Sequence, residues 1–335
     1  MEIDRFESYS VEERSSVGQA RRAATAFAED SGFDTEDAGR VGVIATEAAT
    51  NLVKHAERGE LVLGHITDGE AHGVALIALD RGPGIRNLAQ SLIDGHSTAG
   101  SPGNGLGAIR RMSSQFDIYT NSAGTAVLSY VWAKNREAPP ARCQIGAVCM
   151  PYPGERECGD QWAMRVDGDD VVVLLADGLG HGTMAAAAAR KAADTLTSSH
   201  TPAAPADILA AVHDALRSTR GAAAAVARIE PRRGVVRYSG VGNIAGTIAT
   251  GEVVRHMVSH HGILGHSSVK IQEFTYPWSA DWLLLLHSDG ISTRWALGAY
   301  PGLTNHHPML TAAVLYRDFR RSTDDASLVA LRFAG

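Results

Sequence analysis

A charged segment that contains two adjacent prolines interrupts the sequence and limits the folds that the chain can adopt. Residues 134–142 read KNREAPPAR and carry no apolar periodicity, which is typical of a linker between two hydrophobic cores. A chain of 335 residues has room for about two domains of typical size. We therefore expect a first domain at 1–133, a linker at 134–142 and a second domain at 143–335.

The composition excludes several classes of protein. Hydrophobic residues make up 44% of the chain, charged residues 20%, and the net charge is −6, which is ordinary for a soluble globular protein and excludes a disordered one. The longest apolar runs, at 171–176 and 282–286, have the length of strands, so no membrane span is expected. The chain also lacks a basic run of the kind that binds nucleic acid.

The amino terminus and the cysteines favour a cytoplasmic protein. Residues 1–10 are acidic and lack the basic and apolar regions of a secretory signal. Cys143, Cys149 and Cys158 are odd in number and lack C-x-x-C spacing, so they fit neither a disulfide framework nor a zinc knuckle. We expect reduced cysteines that serve packing.

Hydrophobic periodicity predicts an α/β sandwich in the first region. Helices are expected at 11–29, 35–57 and about 106–115, and strands at 60–67 and 73–80, with two later strands ending at Trp132. The helices would cover one face of the sheet. A long glycine-rich loop at 95–107 separates the second strand from the third helix, and such loops are usually functional.

The second region predicts a layered α/β/β/α domain. Strands are expected at 143–150, 161–166, 171–176, 222–229, 234–239, 244–249, 252–258, 269–275, 281–287 and 326–333, with helices at 183–196, 206–219 and 308–320. Both regions therefore belong to the mixed α/β (α+β) class.

Two motifs in the first region can hold parts of a nucleotide. Glu47 and Asn51 lie four residues apart in a predicted helix, which places a carboxylate and an amide on one face. Asp80 ends an apolar strand and can accept an adenine amino proton, while Gly82 and Gly84 allow close approach of the backbone. Alone, each pattern is more typical of an amphipathic helix or a strand-to-turn junction.

A third motif completes a resemblance to a known fold. Gly103, Gly105 and Gly107 alternate directly before a helix, where bare N–H groups and the helix N-terminus can bind phosphates. In this order and spacing the three motifs resemble the N box and the two glycine boxes of the GHKL ATP-binding fold, across residues 10–133. Within that fold the region is similar to the RsbW/RsbT serine kinases, and the absence of a preceding phosphoacceptor-histidine helix argues against a sensor histidine kinase.

This resemblance implies roles for the motif residues. Asn51 would hold Mg²⁺ against the triphosphate of ATP, Asp80 would read adenine, and the glycines at 82, 84, 103, 105 and 107 would form the turn and the lid. Glu47 would orient or deprotonate the acceptor hydroxyl. No lysine lies in the lid, so Arg110 and Arg111 are candidates to neutralise the γ-phosphate, the alternative being two solvated arginines on a helix face.

Four aspartates in the second region can bind metal ions. Asp160, Asp177, Asp289 and Asp324 each lie next to an apolar strand or a turn, where a sheet can bring several ligands to one point. Oxygen ligands without Cys or His suit Mg²⁺ or Mn²⁺, and two such ions can activate one hydroxide between them. A single Asp-Gly is usually a turn, so it is the set of four that predicts a two-metal site.

The sequences around these aspartates carry a second resemblance. GD, ADGLGHG, HSDGI and DDASLVALR resemble the motifs of the SpoIIE/RsbU/RsbX branch of the metal-dependent type 2C protein phosphatases, across residues 143–334. The resemblance implies that Asp177 bridges two metals and that the Gly178 carbonyl binds one of them. Asp289 and Asp324 would complete one site and Asp160 would serve the other. Hydroxide would then attack phosphorus without a phosphoenzyme.

Some neighbouring residues leave alternatives open. The family pattern D-[DN]-x-[ST] places the ligand first, which favours Asp324 over Asp325, and Arg142 is a poor substitute for the phosphate-clamping arginine of the eukaryotic phosphatases. Asn243 could contact substrate or form a hairpin turn, and His181 could lie just behind the metal ligands. The histidines at 256, 260, 261 and 266 lack zinc spacing, so a solvated loop is favoured over a zinc site.

Together the two resemblances predict a bacterial partner-switching regulator. The first domain would phosphorylate, and the second dephosphorylate, a serine or threonine of a STAS-domain anti-sigma factor antagonist, with a sigma factor or second regulator as a further partner. One alternative is a phosphatase whose first domain is only a nucleotide- or partner-binding module. Others are an anti-sigma or scaffold protein that sequesters a partner, and an unrelated metal hydrolase.

Overall fold

The structure, a computed structural model, describes residues 2–56, 58–68, 70–92, 105–135, 143–198, 203–251, 253–266 and 268–333. Contacts divide these residues into two compact units. The first comprises the described residues up to 135 together with Asn305–Val314, and the second comprises those from 143 to 304 and from 315 to 333. The linker predicted at 134–142 lies largely outside the described residues, so the domain bounds remain a prediction.

The first unit contains one antiparallel sheet. Its elements are β1 (Glu2–Ser10), α1 (Arg14–Asp30), α2 (Thr35–His55), β2 (Gly59–Asp68), β3 (Ala71–Asp80), α3 (Leu88–Ser91), α4 (Gly105–Met112), β4 (Gln115–Asn121) and β5 (Gly124–Trp132). The five strands are ordered β1-β2-β3-β5-β4.

The helices α1, α2 and α4 pack on one face of this sheet, as the sequence predicts. Alternate strand residues such as Leu61, Leu63, Val74 and Leu76 belong to the same buried cluster as the apolar faces of the helices. The helix α2 begins cleanly because the Asp34 side chain accepts the N–H of Asp37 at 2.9 Å. This packing fixes the helix that carries Glu47 and Asn51.

The first strand is a feature that hydrophobic periodicity did not predict. β1 pairs with β2, but the register shifts between Asp4 and Phe6, and Arg5 has a φ of 26°. Because of this bulge, Ile3 and Phe6 both lie against Gly64 although they are three residues apart. The alternation that identifies a strand in sequence is therefore broken at this point.

The second unit contains two five-stranded antiparallel sheets. Its strands and helices are β6 (Cys143–Met150), β7 (Asp160–Asp167), β8 (Asp170–Gly178), α5 (Thr183–Ser198), α6 (Pro205–Ala215), β9 (Ala222–Glu230), β10 (Val235–Val241), β11 (Ala245–Thr250), β12 (Val253–Met257), β13 (Phe274–Pro277), β14 (Leu283–His287) and β15 (Ala326–Phe333). The helix α7 (Pro308–Phe319) precedes β15. The sheets are ordered β13-β10-β9-β8-β7 and β12-β11-β14-β15-β6.

The two sheets pack face to face, and helices cover the first of them. A Cβ on Gly246 of β11 would lie 2.7 Å from the ring of Tyr238 on β10, so the sheets approach too closely there for a side chain. The alanines Ala188, Ala189 and Ala192 let α5 lie close to its sheet. These layers confirm the predicted mixed α/β class.

Two of the predicted boundaries in the second region are wrong. The strand predicted at 269–275 is mostly irregular, and β13 begins only at Phe274. The helix α6 ends at Ala215, and Leu216–Ser218 form a short 3-10 turn. None of the described helices is long and apolar enough to cross a membrane.

Candidate nucleotide and metal sites

A cavity of about 450 Å³ in the first unit lies between α2, the end of β3 and the start of α4. This volume is in the usual range for small-molecule sites. Its lining includes apolar side chains and a few polar groups, among them Ala48, Asn51, Leu52, Asp80, Ile85, Asn87, Gly84, Gly105, Ile109, Thr125 and Val127. An apolar wall with few polar groups suits a flat heterocycle with a polar edge.

The carboxylate of Asp80 is held in one orientation at the cavity wall. Its Oδ1 accepts the N–H of Gly82 at 2.7 Å and the N–H of Thr125 at 3.1 Å. Gly82 itself does not line the cavity, but a Cβ there would lie 2.6 Å from the His55 carbonyl oxygen. Gly84 has a φ of +75°, and a Cβ there would lie 2.0 Å from the Asn121 carbonyl oxygen. Both glycines are therefore needed to build the turn that presents Asp80.

The Asn51 side chain faces the same cavity. Its Nδ2 is buried and has no hydrogen-bond partner among the described residues. A Cβ on Gly105 would lie 3.0 Å from Asn51 Oδ1, so α4 begins directly against this amide. A buried amide without a partner costs free energy, which a bound ligand would recover.

The other residues predicted to bind the nucleotide or its acceptor are not among the described residues that line the cavity. Glu47 lies one helical turn before Asn51, is partly exposed, and is not among the described residues that line the cavity. Gly107 is buried within α4 and does not line it either. Gly103 lies outside the described residues.

The cations beside the cavity differ from the expected ones. Lys54 and Arg86 line it, together with His55, whereas Arg110 and Arg111 are exposed and do not. Sequence reasoning missed Lys54, although its spacing of three residues from Asn51 places both on one helix face.

In the second unit, Asp160 and Asp177 begin and end neighbouring strands and are paired in register across β7 and β8. Asp160 is almost fully buried, and its Oδ2 accepts the Ser288 hydroxyl at 2.7 Å. Its Oδ1 is buried without a hydrogen-bond partner in the described chain. Burial raises the pKa of Asp160 to about 7, although the hydrogen bond from Ser288 opposes the shift.

Asp177 is at the centre of the acidic cluster, which we define as Asp160, Asp177, Asp289, Asp324 and Asp325. Burial raises the pKa of Asp177 to about 9, and repulsion from the other four carboxylates adds to the shift. Burial and repulsion from Asp289 also raise the pKa of Asp324. The structure thus brings the four predicted aspartates together and adds Asp325.

Groups around the acidic cluster hold individual carboxylate oxygens. The Asn243 side chain donates from Nδ2 to Asp289 Oδ2 at 2.7 Å, so Asn243 contacts a predicted ligand directly. The N–H of Tyr152 donates to Asp325 Oδ1 at 2.8 Å, and the N–H of Asp325 donates to Asp324 Oδ1 at 3.0 Å. Asp325 is buried and bound to backbone, whereas Asp324 is partly exposed, which favours Asp324 as the ligand.

The acidic cluster fits divalent cations. Its donors are hard oxygens, and both Asp160 Oδ1 and Asp325 Oδ2 are buried without a partner among the described residues. Burial, with added repulsion from neighbouring aspartates, raises the pKa values of Asp160 and Asp177, and a bound cation would favour their charged forms. Among the described residues, no group of three or more His, Cys, Asp or Glu side chains is arranged to hold a metal ion.

The structure also shows the surroundings of the histidines at 256–266 and of Gly178. His256 lies in β12 with its Nδ1 3.3 Å from the Thr247 hydroxyl, so the predicted solvated loop is wrong for this residue, whereas His260 and His266 lie outside the strands and contact the Gln272 side chain and the Arg220 carbonyl. Gly178 lies directly after Asp177 at the end of β8. A Cβ on it would lie 2.1 Å from the Ala185 carbonyl oxygen, so only glycine fits. Arg142 lies outside the described residues.

Comparisons with known proteins agree with both halves of this description. The family model for stage II sporulation protein E (SpoIIE) matches residues 167–334, half of the chain, and the histidine kinase-like ATPase domain model matches 11–130. The chain belongs to the SpoIIE family. Its second domain is a type 2C serine/threonine phosphatase by fold and family, and its first domain is a kinase-like ATPase domain.

The relatives of this SpoIIE-family chain are proteins of opposing activity. It is 30% identical over 116 residues to the serine/threonine-protein kinase RsbT of Bacillus subtilis, covering 34% of this chain and 87% of RsbT. It is 25% identical over 141 residues to the phosphoserine phosphatase RsbX of the same organism, covering 42% and 70% of the two chains. A crystal structure of RsbX with magnesium shares the fold, with a TM-score of 0.52 at 18% identity over 59% of this chain and 98% of that one. This pair of domains is that of a partner-switching regulator.

Replacing Lys54 with alanine tests which cation faces the nucleotide phosphates. We expect Lys54→Ala to weaken ATP binding about tenfold and AMP binding much less, because a charged hydrogen bond to the outer phosphates is lost. Arg110→Ala is the matched control and should leave both affinities unchanged. Titration calorimetry with ATP and AMP measures this, and equal losses for the two nucleotides would contradict the assignment.

The raised pKa values of Asp160 and Asp177 predict a pH-dependent stability without cations. Both values exceed the value of about 4 in an unfolded chain, so the native state binds more protons between about pH 4 and pH 9. The free energy of unfolding should therefore fall as pH rises through this window. In EDTA, calorimetry should show a melting temperature that falls by several degrees between pH 5 and pH 9.

The substitution Asp177→Asn should make this decline smaller and raise the melting temperature at pH 8. The control Asp169→Asn changes a carboxylate at the opposite end of the β7–β8 hairpin and should keep the wild-type pH dependence. Identical pH profiles for wild type and Asp177→Asn would show that the pKa of Asp177 is not raised in the native state.

Proposed function

We propose that the chain both phosphorylates and dephosphorylates a serine or threonine of one partner, a STAS-domain anti-sigma factor antagonist. The observation that carries this proposal is the acidic cluster around Asp177 in a chain that also holds a nucleotide-sized cavity. The similarity to RsbT and RsbX supports opposing activities on phosphorylated serine or threonine. A sigma factor or second regulator would be a further partner.

In the proposed kinase reaction, the first unit binds ATP with Mg²⁺ in the cavity. Asp80, whose carboxylate is held by two N–H donors, would accept a hydrogen bond from the adenine amino group, and the Asn51 amide would hold Mg²⁺ against the triphosphate. Gly105 places the N-terminus of α4 against Asn51, where its N–H groups could bind phosphate. Glu47 is the proposed base for the acceptor hydroxyl.

In the proposed phosphatase reaction, the acidic cluster holds two Mn²⁺ or Mg²⁺ ions. Asp177 would be shared by both ions, Asp289 and Asp324 would complete one site, and Asp160 would serve the other. The Gly178 carbonyl would bind one of the two ions. When bound, the ions supply a hydroxide nucleophile and neutralise charge on the phosphate. Neighbouring side chains of the second unit orient the carboxylates. Ser288 donates a hydrogen bond to one oxygen of Asp160, and Asn243 donates one to an oxygen of Asp289.

A second candidate function makes the first unit a regulator that binds nucleotide or partner without transferring phosphate. The specific observation in its favour is the position of Glu47, which is not among the described residues lining the cavity. The chain would then act as a phosphatase alone.

Asn243 is predicted to position Asp289 for cation binding. We expect Asn243→Ala to weaken Mn²⁺ binding by about 10-fold or more, because outer hydrogen-bond partners fix the orientation of metal ligands. Calorimetric titration of the chain with Mn²⁺ measures this without an activity assay. Thr250→Ala, at the far end of β11, is the control, and an unchanged Mn²⁺ affinity in Asn243→Ala would refute the role.

Label transfer tests the two activities together. The purified chain and a STAS protein from the same genome are incubated with γ-labelled ATP and Mg²⁺, followed by Mn²⁺, and the Asp177→Asn variant is treated in parallel. We expect label to persist on the STAS protein only with Asp177→Asn, because the variant keeps the kinase site and loses the phosphatase site.

Two other outcomes distinguish the alternatives. Absence of label with both proteins, while the wild type still dephosphorylates a phosphorylated STAS protein, would favour the regulatory first domain. Absence of both reactions would reject the STAS substrate.

A further inference from the structure

We propose that a docking surface beside the acidic cluster binds the polypeptide segment around the phosphorylated residue of the protein substrate. We define the docking surface as Leu179, Met184, Ala187, Lys191 and Arg220. It rests on the proposed function, since it assumes that the second unit acts on a phosphoprotein. It adds the chemistry of the segment recognised, which has an apolar side chain beside the phosphorylated residue and acidic residues further along.

Two exposed apolar side chains lie at the edge of the candidate metal site. Leu179 follows Asp177 and Gly178 directly and is 45% exposed, and Met184, in the first turn of α5, is 55% exposed. Large apolar side chains with this exposure are few among the described residues. Two of them lie within seven residues of the central aspartate Asp177, and exposed apolar side chains grouped in this way are typical of a binding surface.

The loop between these two side chains is fixed in place. The N–H of Leu179 donates to the Gly221 carbonyl at 3.0 Å. His181 stacks on Tyr152 with ring centres 4.6 Å apart, and its Nδ1 lies 2.9 Å from Glu155 Oε1. The apolar side chains are therefore held outward on a rigid loop, so little conformational entropy is lost when a partner covers them.

The patch continues along α5 into a basic edge. Met184, Ala187 and Lys191 are exposed and share one helix face by their spacing. Lys191 Nζ donates to the Ser218 hydroxyl at 3.1 Å, and the Arg220 guanidinium reaches to 3.4 Å from the Cβ position of Gly180. The Arg220 contact connects this basic edge to the loop that carries Leu179, and Lys191 contacts the 3-10 turn that precedes Arg220.

The charge of this edge indicates the occupant. The chain as a whole has a net charge of −6, but the docking surface carries two cations; the carboxylates at its borders are Glu155, which lies 2.9 Å from His181 Nδ1, and Asp194, three residues after Lys191 on α5. A phosphorylated segment with acidic residues complements it in charge, and an apolar side chain next to the phosphoserine would cover Leu179 and Met184. The continuity of the surface with Asp177 places such a segment with its phosphate toward the acidic cluster.

The test uses the full chain with Mn²⁺ and three substrates. Two are synthetic phosphoserine peptides with acidic ends, one with leucine and one with serine on both sides of the phosphoserine, and the third is p-nitrophenyl phosphate. We expect the wild type to show a kcat/KM about tenfold higher for the leucine peptide than for the serine peptide, because apolar surface is buried.

The double variant Leu179→Ser with Met184→Ser should lose this preference for the leucine peptide. The matched control is Val166→Ser with Val253→Ser, which changes two side chains that are 50% and 69% exposed. Both lie at strand ends remote from the cluster residues of their sheets, and the control should keep the preference. Lys191→Gln with Arg220→Gln should raise KM for both peptides and reduce its dependence on salt.

Three outcomes would overturn the docking surface. These are a wild type without preference between the peptides, a double variant that keeps the preference, and a double variant that loses p-nitrophenyl phosphate hydrolysis in the same proportion as peptide hydrolysis. A wild type that hydrolyses none of the three substrates would instead reject the proposed function itself.

Discussion

The burial of several neighbouring carboxylates is the constraint on which the second unit depends. Desolvation raises the pKa of Asp160 to about 7 and of Asp177 to about 9, and neighbouring aspartates add to the shift. Such crowding is unfavourable for the fold, so it persists only where the surrounding structure fixes each residue. The register of β7 with β8 places Asp160 opposite Asp177, and hydrogen bonds from Ser288 and Asn243 reach the carboxylates from the other sheet and its connections.

The nucleotide cavity is built on a different principle, close approach of backbone rather than concentrated charge. Gly82 and Gly84 allow the chain to turn against α2 and β4, and the N–H of Gly82 then holds the Asp80 carboxylate. Gly105 brings α4 against Asn51, whose Nδ2 is buried without a partner in the described structure. The two sites therefore lack different things. The acidic cluster lacks a cation to compensate its carboxylates, and the nucleotide cavity lacks a ligand to form a hydrogen bond with the Asn51 amide.

Much of this arrangement could be predicted from sequence because the chemistry lies at strand ends and in glycine turns. Asp80, Asp160 and Asp177 each begin or end a strand whose apolar pattern is strong, so their positions followed from local periodicity. The strand β1 was missed because its bulge at Arg5 breaks the alternation. The contact of Asn243 with Asp289 joins residues 46 apart in sequence, and no local pattern encodes such a pair.

The cations that line the nucleotide cavity also could not be predicted from local sequence patterns alone. Sequence spacing could place Lys54 on the face of Asn51, but the exclusion of Arg110 depends on how α4 is rotated against α2, which is a tertiary property. Glu47 likewise lies on the predicted helix but is not among the described residues that line the cavity. Local patterns therefore identify which residues carry the chemistry, whereas long-range packing decides which of them meet.

If both units act on the same partner, the balance between phosphorylation and dephosphorylation depends on how each site responds to pH and to cation concentration. A cation that binds the acidic cluster must compete with protons on Asp160 and Asp177, because their pKa values lie near or above neutrality. The nucleotide cavity presents an amide and a carboxylate already held by two N–H donors. Phosphatase activity should thus respond more steeply to pH and free divalent cation than nucleotide binding does. Conditions that favour proton binding at the cluster would shift the shared partner toward its phosphorylated form, because burial and mutual repulsion raise the pKa values of the carboxylates that the cations need.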